Sequence, residues 1–198
     1  MEVEYHESLE LLLKKRAEHA QALFWAHNHA AKWCATWDTR IAVGSIILGL
    51  FSGAGAVGAD SLLPFQGSTT LLGVVSLAVS TIQAVNNKLA FAKRSESHRV
   101  SSLAYQQVYT KLNVQLSMPR HERIKAKDLL DWLTAETERL IEVEPTFPEQ
   151  TKKEFHKKFS DLKDYAMPPL LNGLENIQVI HTATAETPIA RPVVKVLV

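Results

Sequence analysis

Apolar residues recur along this chain in two different rhythms. Residues 7–38, "ESLELLLKKRAEHAQALFWAHNHAAKWCATWD", contain no proline or glycine and place Leu9, Leu13, Ala17, Ala20 and Phe24 at helical spacing, which predicts a long amphipathic helix. The 19 residues 41–59 and the 27 residues 61–87 then contain no charged side chain. A helix needs about 20 predominantly apolar residues to cross a hydrocarbon core of roughly 30 Å, so each run is long enough to span a membrane. Pro64 and Gly67 in the connector "GADSLLPFQGS" supply turn chemistry between them.

The amphipathic rhythm returns after residue 88. Tyr105, Val108, Leu112 and Leu116 mark one helical face with no breaker before Pro119, and Ile124, Leu130, Leu133, Leu140 and Ile141 mark another helix beyond it. Thr146 and Glu149 stand at capping-box spacing and predict a further helix opening there, with Phe155, Phe159 and Leu162 on its apolar side. From Met167 the prolines and β-branched runs lose helical period, which reads as an extended tail, either disordered or adding a strand to a partner protein.

The second apolar run keeps a polar seam. Gly73, Ser76, Ser80, Gln83 and Asn87 follow at steps of three, four, three and four and fall in one stripe of a helix. In the first run Ser45, Gly49 and Gly53 recur every four residues, and "GLFSG" is itself a GxxxG, the small-residue pattern that lets helix backbones approach closely in lipid. The seam is either pore-lining or helix-packing; the Ser45, Gly49, Gly53 face is helix-packing.

The predicted fold is therefore all-α: a two-span transmembrane helical hairpin whose long helices extend into a cytoplasmic helical bundle, with an extended C-terminal tail. The parts are an N-terminal cytoplasmic helix (1–40), the transmembrane hairpin (41–87), a cytoplasmic helical region (88–166) and the tail (167–198). A hairpin buried in a soluble bundle is the competing reading, and two uncharged runs of this length are hard to bury in so small a chain.

Charge sharpens this picture. The 22 basic and 21 acidic residues nearly cancel, which argues against a nucleic-acid partner, yet between Arg40 and Lys88 the only charge is Asp60. Lys32, Arg40, Lys88, Lys93, Arg94 and Arg99 flank the runs while the connector has no lysine or arginine, so a multi-pass membrane protein with both termini cytoplasmic is expected. Trp33 and Trp37 fit an interfacial aromatic belt. No cleaved targeting segment is expected, since about forty charged and amphipathic residues precede the first run. The lone Cys34 excludes an internal disulfide and is either a palmitoylation site or a plain interfacial thiol.

Signatures of nucleotide hydrolysis, zinc binding and metalloprotease chemistry are missing, so no catalytic residue, metal or cofactor is expected and the protein is read as a non-enzyme. His27 and His29 point to different faces of one helix, and antiparallel return of the chain sets them near the depth of His98. Polar contacts between packed helices are expected there in preference to a metal site.

"HNHAAKW", two close spans, "KRSESH", "LAYQQVYTKL" and the Pro-Thr-Phe-Pro element, taken in this order, resemble the SLATT family, two-span membrane effectors associated with nucleotide second-messenger systems. The resemblance covers roughly residues 15 to 160 and rests on His27, Ala30, Glu96, His98, Tyr105, Leu112, Pro145 and Pro148. It implies an oligomeric membrane pore or channel-like effector, triggered through its cytoplasmic helices in antiviral defence or cell death. The expected partners are further copies of the chain and the lipid bilayer. The alternative function is a non-conducting membrane scaffold or anchor in a virion or protein complex, with the tail as its attachment point.

Overall fold

A computed structural model describes residues 4–62, 68–162 and 165–172, with side-chain surroundings for all of these but 52–62, 68 and 69. The turn at Pro64 and Gly67 and the tail from residue 173 lie outside the described residues. Among the described residues every regular element is helical: α1 (Glu7–Leu62), α2 (Ser68–Leu89), α3 (Phe91–Ser117), a 3₁₀ turn (Arg120–Glu122), α4 (Ala126–Val143), α5 (Glu149–Phe159) and α6 (Pro169–Asn172). Two of these helical stretches, one ending at Phe51 and the other starting at Thr70, are long and apolar enough to cross a membrane, each with a mean hydropathy of 1.2 over its best window.

At 1.5 Å per residue the 56 residues of α1 make a rod of about 84 Å, with no interruption where the amphipathic pattern gives way to the apolar one. α3 returns antiparallel along its first half. The direction is fixed by four level contacts, Glu10 with Arg120, Phe24 with Ser102, His27 with His98 and Ala31 with Ser95. α2 continues the return beside the apolar half of α1.

The core lies between the charged halves. Leu9, Leu13, Ala17 and Ala20 of α1 meet Tyr105, Val108 and Leu112 of α3, which are the faces that the spacing predicts. In α4 the buried face is Ala126, Leu129, Leu133 and Leu140. Ile124 precedes the helix, and Ile141, one residue and about 100° round from Leu140, is exposed. Burial of each such leucine is worth roughly 1.5–3 kcal/mol.

Three local devices fix the bundle. Glu10 takes both donors of the Arg120 fork (2.9 and 2.7 Å) and a third from Arg123, while Arg123 Nε caps the end of α3 by donating to Met118 O at 2.9 Å. The two guanidiniums pull the Glu10 carboxyl down to about 2. Next to them the Tyr5 hydroxyl donates to Ile124 O at 2.8 Å. About two turns further along α1 the Tyr165 hydroxyl donates to Glu18 O at 2.7 Å.

Two features differ from the sequence reading. α5 starts at Glu149 with Pro148 in the N-cap position and no side-chain cap, so Thr146 and Glu149 form no capping box. Proline pushes the residue before it out of helical backbone, so Phe147 cannot begin a helix capped by Thr146. The segment from Met167 does not start as an extended tail: Pro169–Asn172 is a helical turn, and Leu171 is buried in the core. The chain also breaks where no proline or glycine announces it. Ala90, between α2 and α3, is left-handed at φ 49° and ψ 47°, while Ala90 N still donates to Asn86 O and Arg94 N to Ala90 O.

Candidate functional site

The apolar halves of α1 and α2 touch along one face only. On α2 that face is Leu72, Val75, Val79 and Asn86, all partly or fully buried. Gly73, Ser76, Ser80, Gln83 and Asn87 lie about 80° further round the helix and are all exposed. The seam is thus continuous on the outside of the α1–α2 pair, amid exposed Val74, Leu77 and Val85.

Its members differ in how their polar groups are met. Ser80 Oγ donates back to Ser76 O at 3.0 Å, as Thr81 beside it does to Leu77 O at 2.9 Å, so these hydroxyls are satisfied within the helix. Gln83 and Asn87 make no hydrogen bond with any described residue. Nothing lies within 4 Å of where a Cβ on Gly73 would stand.

On α1 the three predicted packing residues separate. Ser45 is buried against α2, and its Oγ has no hydrogen-bond partner among the described residues; nor does the buried Oδ1 of Asn86. Gly49 is exposed with open space around it, so it is not a close-approach point within one copy. The surroundings of Gly53 lie outside the described residues. At the lower edge of this region Trp33 packs edge-on against Trp37 and Phe91, and the Arg40 guanidinium lies 5.6 Å from the Trp37 ring centre. Cys34 is 1% exposed and burial pushes its thiol up, which favours the plain thiol over an acylation site.

Below the aromatic belt the two histidines of "HNHAAKW" act in opposite directions. His27 is fully buried; its Nε2 lies 2.8 Å from Glu144 Oε1 and its Nδ1 2.9 Å from His98 Nδ1. The Tyr105 hydroxyl donates to the other oxygen of Glu144 at 3.1 Å. His27 stacks on Tyr105 at an interplanar angle of 11°, and Phe147 covers both imidazoles. A proton on His98 Nδ1 and one on His27 Nε2 satisfy every contact in the chain. His29 faces the other way, with Nδ1 3.2 Å from Thr151 Oγ1 and its ring stacked on Trp25, which packs on Phe155 and Phe159 of α5. Two residues of α1 therefore hold α3, the α4–α5 connection and α5 in one polar layer.

Burial, His27 and Arg94 together hold His98 down at about 4, well below its ordinary 6.5. A depressed folded value for a base means that protonation favours the unfolded chain. The His98 contribution to stability is therefore complete above about pH 6.5 and is lost as pH falls toward about 4, by roughly 3 kcal/mol. Urea unfolding of the detergent-solubilised protein at about pH 7.5 and about pH 4.5 should show this loss, and His98→Asn should flatten the difference. An identical pH slope in that variant would assign the effect to other groups.

Among the described residues no group of three or more His, Cys, Asp or Glu side chains is placed to hold a metal ion. No protein-family model, no curated protein and no solved structure matches the chain.

Proposed function

We propose that the protein is a membrane-embedded oligomer whose copies surround a water-filled path, with the apolar half of α1 and α2 as the two spans of a hairpin. The observation that carries this reading is the position of the seam: a polar stripe on the outward surface of an otherwise apolar pair. Val43, Ile46, Ile47, Leu50 and Phe51 of α1 and Leu71, Val74, Leu77 and Val85 of α2 are all exposed, a sleeve suited to lipid and not to water. In hydrocarbon the amides of Gln83 and Asn87 must find partners or water, and no described residue of the same copy partners them. Neighbouring copies that turn their seams inward hydrate both groups, with Asn87 beside Lys88 at the cytoplasmic mouth.

The resemblance to SLATT effectors supports the same reading and adds a role, that of a defence or cell-death effector triggered through the cytoplasmic helices. The scaffold reading has one observation in its favour: Ser80 satisfies itself within α2 and Ser76 is partnered as well, so only Gln83 and Asn87 of the seam require partners. Mass measurement in several mild detergents, followed by conductance of the purified oligomer in planar bilayers, separates the two. An assembled oligomer that conducts under no membrane potential leaves the scaffold.

Six basic residues flanking the spans against none in the connector put both termini in the cytoplasm. In sealed cells a cysteine placed at Phe65 should react with an impermeant thiol reagent and one at Tyr5 should not. The reverse pattern would invert the topology.

A further inference from the structure

From Val100 to Ser117 the face of α3 turned away from α1 is exposed and carries no charge; one turn nearer Ala90 the same stripe begins with Lys93 and Glu96. Val100, Leu103, Gln107, Thr110, Val114 and Ser117 follow at steps of three, four, three, four and three, and all six are open to solvent, with Val100 at 53%, Leu103 at 46% and Val114 at 49%. Between Arg99 and Arg120 the only charged residue is Lys111, and its ammonium is turned aside, 3.7 Å from the centre of the Trp132 ring of α4. An open depression follows this face. Leu103, Gln106, Gln107 and Thr110 line part of it at positions i, i+3, i+4 and i+7, and Gln107, Thr110, Lys111 and Val114 repeat the arrangement. Such four-residue sockets each receive one side chain from a facing helix in knobs-into-holes packing.

We infer that this stripe is the cytoplasmic contact between copies of the chain, α3 lying parallel and in register against α3 of a neighbour. The inference rests on the oligomeric membrane reading above and names the surface that assembles it. Copies inserted in one bilayer share a direction, so the α3 helices that leave it run parallel. From Arg99 onward the stripe suits its own image: its edges bring Arg99 opposite Ala104, Gln106 opposite Lys111 and Asn113 opposite Met118, with no like charges facing in this stretch. Arg99 is moreover held by Glu96 at 2.7 and 2.8 Å. A different protein drawn by charge would find nothing on this face to pair with. Gln107 and Thr110 meet their own counterparts, a polar layer of the kind that sets register in coiled coils. The seam of α2 repeats the same alternation of three and four on the same arm of the chain, one residue out of step, with the left-handed Ala90 between the two stripes.

Cysteines introduced singly at Leu103 and Thr110 test the contact in native membranes under a mild oxidant, because a disulfide requires Cα atoms within about 7 Å. Both should form covalent dimers, whereas Thr134→Cys, exposed on α4, and the parent chain with its buried Cys34 should not. Gln107→Glu sets a carboxylate against its own copy and should shift the mass in mild detergent toward monomer; Gln107→Asn should retain the oligomer. An oligomer of unchanged mass in Gln107→Glu, with no cross-link at Leu103 or Thr110, overturns this interface and leaves the oligomeric reading standing. A chain that is monomeric in every mild detergent and uncross-linked in membranes overturns both.

Discussion

Gln83→Leu will abolish conductance in planar bilayers and leave the mass of the oligomer unchanged. The side chain is exposed, lies on the outward seam and has no hydrogen bond with any described residue, so in the proposed oligomer a water-filled path satisfies its amide. Leucine at that depth removes the polar lining and forms an apolar constriction, the kind that closes pores by loss of water. Packing is the rival explanation. A cross-helix hydrogen bond in lipid is worth only about 0.6 to 2 kcal/mol, so loss of glue would loosen the oligomer without silencing the copies that remain assembled. Parallel measurement of mass and current distinguishes the two, and a variant that conducts normally as an intact oligomer removes Gln83 from the path.

His27→Ala will cost about 3 to 5 kcal/mol, the largest loss expected of any single substitution in the histidine layer. His27 is fully buried, and the Glu144 side chain facing its Nε2 is only 8% exposed. Truncation leaves that carboxylate without its ring donor, leaves His98 Nδ1 without its partner and opens a cavity beneath Phe147 and Tyr105. For a chain of this length such a loss lowers the melting midpoint by roughly 10 °C. Thermal unfolding in detergent, followed by near-ultraviolet signal from the aromatic layer, reads it. His29→Ala is the control, since His29 is half-buried and makes one longer contact, and it should cost less. Equal losses for both would mean that the layer is held by the aromatic rings and not by the hydrogen-bond chain.

Much of this architecture is legible in the order of residues because the driving periodicities are strong. Leu9, Leu13, Ala17 and Ala20 of α1 and Tyr105, Val108 and Leu112 of α3 repeat over enough turns to leave one possible buried face each. The proximity of His27 to His98 follows from antiparallel return alone. Glu144 does not, because it enters the layer from the end of another helix, and no local spacing connects position 144 to position 27. The α5 start departs from its local signal because Pro148 overrides the capping spacing of Thr146 and Glu149. Leu171 and Tyr165 fold back onto α1 through contacts more than a hundred residues apart in sequence, which no periodicity reports. The seam was legible as a stripe, but which way it faces depends on how α2 is rotated against α1, and that is decided by Leu72, Val75 and Val79.

α1 passes from the histidine layer to the apolar region as one unbroken rod, whereas the returning chain changes hand at Ala90, a conformation that costs an alanine about 1–2 kcal/mol. The two arms therefore differ mechanically. Torque applied at the histidine layer passes along α1 through one continuous helix. Through α3 the same twist reaches α2 only across the left-handed residue, one turn below the seam, so the two arms do not carry it alike.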